Sequence, residues 1–94
     1  MVTVIVEGTV TDNDAFDALM RDLLADTRAY DGCEGITVHR NMDEASKVVL
    51  IEHWDTRAQY DKYLKWREET GVLGKIGALL DGPPSIQCYS NVGV

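Results

Sequence analysis

The stretch "KVVLIEHWDTRAQYDKYL", residues 47–64, holds a strand, a turn and the opening of a helix. Side chains of a strand alternate between faces, so Val48, Leu50, Glu52 and Trp54 share one face while Val49, Ile51 and His53 share the other. A sheet wet on one side shows clean polar alternation. Here both faces are largely apolar, so both must be covered. Asp55 or Thr56 then offers a cap for a helix running through "RAQYDKYLKWREE". His53 is the first residue a search for chemistry would stop at. Alternation turns it away from Trp54, and a hydrogen-bonded histidine at an interface or rim is the favoured reading for it.

Working outward, Val2 to Val10 alternates, with Val2, Val4, Val6 and Val10 on one face and Thr3, Ile5, Glu7 and Thr9 on the other, which reads as a strand. "TDND" follows. Thr11 and Asp14 have capping-box spacing, and Asp12 or Asn13 could cap equally. From Ala15, the positions Phe16, Leu19, Met20, Leu23, Leu24 and Thr27 form the inner stripe of an amphipathic helix. "YDGC" ends it, Gly32 being suited to a left-handed position. "GITVHR" is a second strand, joined to the third by the polar connection "NMDEAS". Gly71 and Gly74 separate a short helix, "LGKIGALL", from the long one. "DGPP" stops it, and "SIQCY" reads as a last strand.

The resulting order, β-α-β-β-α-β, predicts a single α+β domain over residues 1–94. It is the ferredoxin-like arrangement, with an antiparallel four-stranded sheet and helices on one face. The uncovered face implies a homodimer joined sheet to sheet, as suits a chain with only 94 residues to build a core.

Sixteen acidic residues against nine Lys and Arg give a formal net charge of -7, which leaves no basic footprint for nucleic acid or an anionic membrane. No apolar run approaches the ~20 residues of a membrane span, and the opening strand lacks the pattern of a signal peptide. A cytoplasmic location is expected. Cys33 and Cys88 are far apart without metal-ligand spacing, and read as reduced, partly buried thiols. No metal cluster, phosphate-cradling glycine loop or dinucleotide fingerprint is present, so no cofactor is expected.

In order and spacing, "DGCEGITVHRNMD", "VVLIEHWDTRAQYDKYL" and "LLDGPPSIQCY" resemble the antibiotic biosynthesis monooxygenase family of dimeric α+β barrels. Glu52-His53-Trp54 ahead of a helix start is the most specific part of the match, and the resemblance covers nearly the whole chain. It implies one of several activities. Some members oxidise quinol-like or polyphenolic substrates without a cofactor, others degrade haem or isomerise small metabolites. The quinol-type pocket lies between sheet and helices within each subunit. There the resemblance places Trp54 and Tyr60 on the substrate, with Tyr63 where many members carry a histidine. The family's asparagine position, four residues before the tryptophan on the same face, is Leu50, which cannot donate a hydrogen bond. A basic residue of the later helix corresponds loosely to Lys75. No histidine stands where the haem-degrading branch needs its axial ligand, so haem is disfavoured.

His39, near the end of the second strand, is the candidate base, since an imidazole titrates near neutral pH. A hairpin histidine near solvent is an equally good account of it. Trp54 and Tyr60 could simply be core, and Glu52 is expected to form a structural ion pair with Arg40 across the hairpin. Two classes of function follow. One is a cofactor-independent monooxygenase in which an ionised quinol reduces O2. The other is a non-oxygenase binding protein or isomerase on the same fold, which Leu50 favours.

Overall fold

A computed structural model describes residues 1–94 and has the elements β1 (Val2–Thr9), α1 (Asn13–Ala29), β2 (Cys33–Arg40), β3 (Lys47–Trp54), α2 (Arg57–Glu69), α3 (Val72–Gly77) and β4 (Ser85–Ser90). The β-branched alternation of residues 2–9 makes β1. Asp12 caps α1, its Oδ1 accepting the Ala15 amide at 3.0 Å. Thr56 caps α2 in the same way, accepting from the Gln59 amide at 3.2 Å. Gly32 holds φ at 90° in the turn between α1 and β2. A Cβ there would come within 2.5 Å of the Gln59 side chain, so both the backbone and the space require glycine.

The strands form one antiparallel sheet in the order β2-β3-β1-β4. This is the expected ferredoxin-like fold. α1 packs on β2, and α2 packs on β3 and α3. The segment after α3 is tied to the end of β1: Val10 and Leu80 form a β-bridge, and Asp81 donates its amide to the Thr9 carbonyl at 2.8 Å.

The core between sheet and helices falls into two clusters. One gathers Val10, Phe16, Met20, Leu24, Ile36 and Val48, with Leu50 packed against it. The other gathers Val4, Trp54, Tyr60 and Tyr63, with Val6 and Tyr30 packed against it. The far face carries Thr3, Ile5 and Glu7 from β1, Thr37 and His39 from β2, Val49, Ile51 and His53 from β3, and Gln87 and Tyr89 from β4. His53 is on this face, its Nδ1 3.2 Å from Thr3 Oγ1.

The expected Arg40–Glu52 pair does not form. Arg40 stands opposite Val48, four residues before Glu52, and its guanidinium bonds Asp17 of α1 at 2.7 and 3.1 Å. That bond holds the Asp17 carboxyl below its ordinary value. No helix is long and apolar enough to cross a membrane.

Candidate functional site

Four cross-strand rows tile the helix-facing side of the sheet. Trp54 lies between Cys33 and Val2. Glu52 lies between Ile36 and Val4, with Cys88 beyond Val4. Leu50 lies between Val38 and Val6, with Ile86 beyond Val6. Val48 lies between Arg40 and Gly8. Neighbours in such rows touch directly.

Above the Trp54 row, the helices supply rings. Trp54 is 0 % exposed. Its ring centroid is 4.8 Å from that of Tyr63, 5.6 Å from that of Tyr60 and 6.2 Å from that of Tyr30. Tyr30 also meets Tyr63 edge-on at 5.2 Å and stacks on Trp66 at 5.2 Å. Edge-to-face and tilted pairs at these separations are favourable for aromatic quadrupoles. Burial pushes the Tyr60 phenol well above its ordinary range, the Glu52 carboxylate adding to the effect, so the hydroxyl stays protonated.

Arg67 locks this roof. It is buried, and no carboxylate pairs with it. Instead its Nε donates to Tyr63 Oη at 3.0 Å, and its Nη2 to the Leu23 carbonyl at 2.7 Å and to Thr27 Oγ1 at 3.0 Å. Thr27 Oγ1 and Tyr63 Oη are themselves 2.7 Å apart. The guanidinium also lies 4.5 Å from the Trp66 ring centroid. This network joins α1 to α2 and fixes the Tyr63 ring against Trp54.

Glu52 is the carboxylate of this surface and only 4 % exposed. Trp54 Nε1 donates to its Oε1 at 3.1 Å. Its Oε2 accepts no protein hydrogen bond. It keeps contact with solvent, because every fully enclosed side-chain oxygen and nitrogen in the chain is partnered. Burial pushes the carboxyl up to about 6, against the opposing pull of the indole hydrogen bond. Glu52 sits at the seam of the core. Leu50 and Ile36 on two sides belong to one cluster, Trp54 and Val4 on the others to the second.

The expected site residues divide. Trp54, Tyr60 and Tyr63 come together, and Leu50 lies two rows away on the same face, half-buried. His39 does not join them. It stands opposite Val49 on the far face, exposed, its Nε2 2.8 Å from Thr37 Oγ1. A cavity of about 620 Å³ borders it, lined also by Glu7, Thr9, Lys47, Asp81 and Ser85. Within one chain, His39 thus lies on the opposite face of the sheet from Trp54 and Tyr60. Lys75 is exposed on α3. Tyr30 and the locking role of Arg67 went unnoticed in the sequence. Arg67 had a readable signal: it follows Tyr63 by four residues, which puts the two on one helix face. Cys33 and Cys88 are both free and half-buried, and no three His, Cys, Asp or Glu side chains gather as a metal site would need.

The model of the antibiotic biosynthesis monooxygenase family matches residues 1–68. The chain belongs to that family. The matched span carries Leu50, Glu52, Trp54, Tyr60, Tyr63 and Arg67. α3 and β4 lie beyond it. Solved structures agree with this antibiotic biosynthesis monooxygenase assignment at the level of fold. One described as an antibiotic biosynthesis monooxygenase is 22 % identical, with a TM-score of 0.86 over 98 % of this chain and 99 % of its own. SnoaB, a cofactor-independent oxygenase from Streptomyces nogalater, is 17 % identical, with a TM-score of 0.87 over 99 % and 94 %. A conserved protein from Methanosarcina mazei Go1 is 18 % identical, with a TM-score of 0.85 over 94 % and 89 %. The search of curated proteins finds no match.

Proposed function

We propose that this family member is a cofactor-independent oxygenase that acts on a small quinol-like or polyphenolic substrate. The observation that carries the reading is the aromatic group of Trp54, Tyr60 and Tyr63 between sheet and helices. Such rings can hold a flat aromatic substrate in a water-poor space. The substrate supplies the electrons: once ionised, its anion passes one electron to O2. The protein then has to orient the ring, exclude water and take up a proton. A homodimer through the far sheet face, around Ile5, Val49 and Ile51, belongs to this proposal. It would be read as twice the chain mass in analytical ultracentrifugation. The activity is tested with an oxygen electrode and a panel of dihydroxynaphthalenes and substituted hydroquinones, with no flavin or metal added. Oxygen uptake that falls in Trp54→Phe is expected. A panel that gives no uptake above the buffer rate removes the reading.

Leu50 supports a second reading, a binding protein or isomerase without oxygen chemistry. Its side chain packs on the Phe16 cluster and offers no donor to a substrate oxygen. Thermal-shift binding of the same panel without oxygen uptake would favour it.

A further inference from the structure

Both readings leave a buried carboxylate unexplained. Glu52 has no cationic partner. The titratable groups it acts on are the Cys33 thiol from β2 and the Tyr60 phenol from α2, and its negative charge pushes both up. Cys88 and Tyr63 lie next to Tyr60. The cation that acts on Cys33 is Arg28 of α1, which donates to the Ile36 carbonyl at 3.1 Å rather than to Glu52. A carboxylate buried this deeply without a cationic partner is costly. Trp54 holds one oxygen and leaves the other free. The next row, Leu50–Val6–Ile86, is apolar and runs out to solvent at Ile86, which is 40 % exposed. This row is the apolar surface beside Glu52 that opens to solvent at one end.

Resting on the oxygenase reading, we propose that Glu52 Oε2 is the acceptor for the hydroxyl proton of the aromatic substrate, with Trp54 Nε1 fixing the carboxylate through Oε1. In this step the substrate O–H bond breaks and its electron pair stays on the substrate oxygen. A new O–H bond forms on Glu52. The anion is the species that then gives an electron to O2. This supplies a proton acceptor on the face that carries Trp54 and Tyr60, whereas His39 lies on the other. It also accounts for the burial: a carboxyl that titrates at about 6 is ionised and ready at neutral pH, yet is a stronger base than one in water.

The test has a binding arm and a turnover arm, each run on wild type, Glu52→Gln and Glu52→Asp. In the first, calorimetric titration with 2-naphthol is repeated from pH 5 to 7.5. The charged carboxylate accepts the naphthol hydroxyl more strongly than the neutral carboxyl does. Wild-type affinity should therefore rise about tenfold as pH passes through about 6, while Glu52→Gln shows no such rise. In the second, oxygen uptake with a dihydroxynaphthalene should fall at least ~100-fold in kcat/KM in Glu52→Gln and lose the rising limb of its pH profile. Glu52→Asp should recover part of both. A wild-type affinity that is flat with pH, or uptake undiminished in Glu52→Gln, overturns the role of Glu52 and leaves the oxygenase reading standing. Affinity that depends on pH and on Glu52, with no oxygen uptake from any compound, upholds the acceptor and removes only the oxygenase reading.

Discussion

Replacing Glu52 by glutamine should make the protein more stable, and the amount should depend on pH. In the fold the carboxyl titrates at about 6, against 4.5 for the unperturbed group. At about 1.4 kcal/mol per pH unit, that gap is a penalty of about 2 kcal/mol on the ionised form. Because the folded value is the higher one, the fold favours the protonated carboxyl. The penalty is absent below about pH 4.5, grows between there and about 6, and is complete above. Glutamine has nearly the same shape, is always neutral and can still accept from Trp54 Nε1. Glu52→Gln should therefore gain about 2 kcal/mol at pH 8, which for a chain of this size is a rise of roughly 8–16 °C in Tm. Near pH 4 the two proteins should melt together. Urea unfolding followed by tryptophan fluorescence at pH 4, 6 and 8 measures both quantities. A variant no more stable at pH 8, or one whose advantage is the same at all three values, would refute the claim that an unpaired carboxylate is held at the core seam.

Trp54→Phe removes the indole donor that favours the Glu52 anion, so the Glu52 titration should move further up, as read by carbon-13 NMR of the side-chain carboxyl. Tyr63→Phe strips Arg67 Nε of its acceptor inside the core and should cost roughly 1–3 kcal/mol in urea unfolding. Gly32→Ala forces a side chain into a positive-φ turn and onto Gln59. It should destabilise by at least about 1 kcal/mol. His39→Ala, at an exposed position on the far face, should leave stability within about 0.5 kcal/mol and oxygen uptake unchanged.

Most of the fold could be read from periodicity. The alternation in Val2–Thr9 and Lys47–Trp54 and the inner stripe of Asn13–Ala29 are each long enough to repeat several times. Parity alone put His53 and Trp54 on opposite faces. The face of His39 relative to Trp54 was not legible, because parity on β2 has meaning only once its register against β3 is known. That register is set by a long connection: the Asn41 amide bonds the Lys47 carbonyl, and the Asn41 side chain accepts from Asp43 and Glu44. No two-residue turn is present to announce it. The same unread register produced the expected Arg40–Glu52 pair, which the structure replaces with Arg40–Asp17. Tyr30 lies beyond the last turn of α1, where no period applies, so its stacking on Trp66 had no trace in the pattern.

The strand order has a consequence for how the chain is made. β1 leaves the ribosome before the other strands, yet it is an inner strand, hydrogen-bonded to β3 and β4. Nothing synthesised in the next 37 residues pairs with it, and its second edge waits for Ser85–Ser90. Nascent chains must therefore carry an apolar strand with both edges open until β3 has emerged, and with one edge open until β4 has. Late closure of such distant contacts slows folding and exposes the strand to misassociation. Holdase chaperones that shield extended apolar segments should engage this chain early in synthesis, and release it only after the final strand arrives.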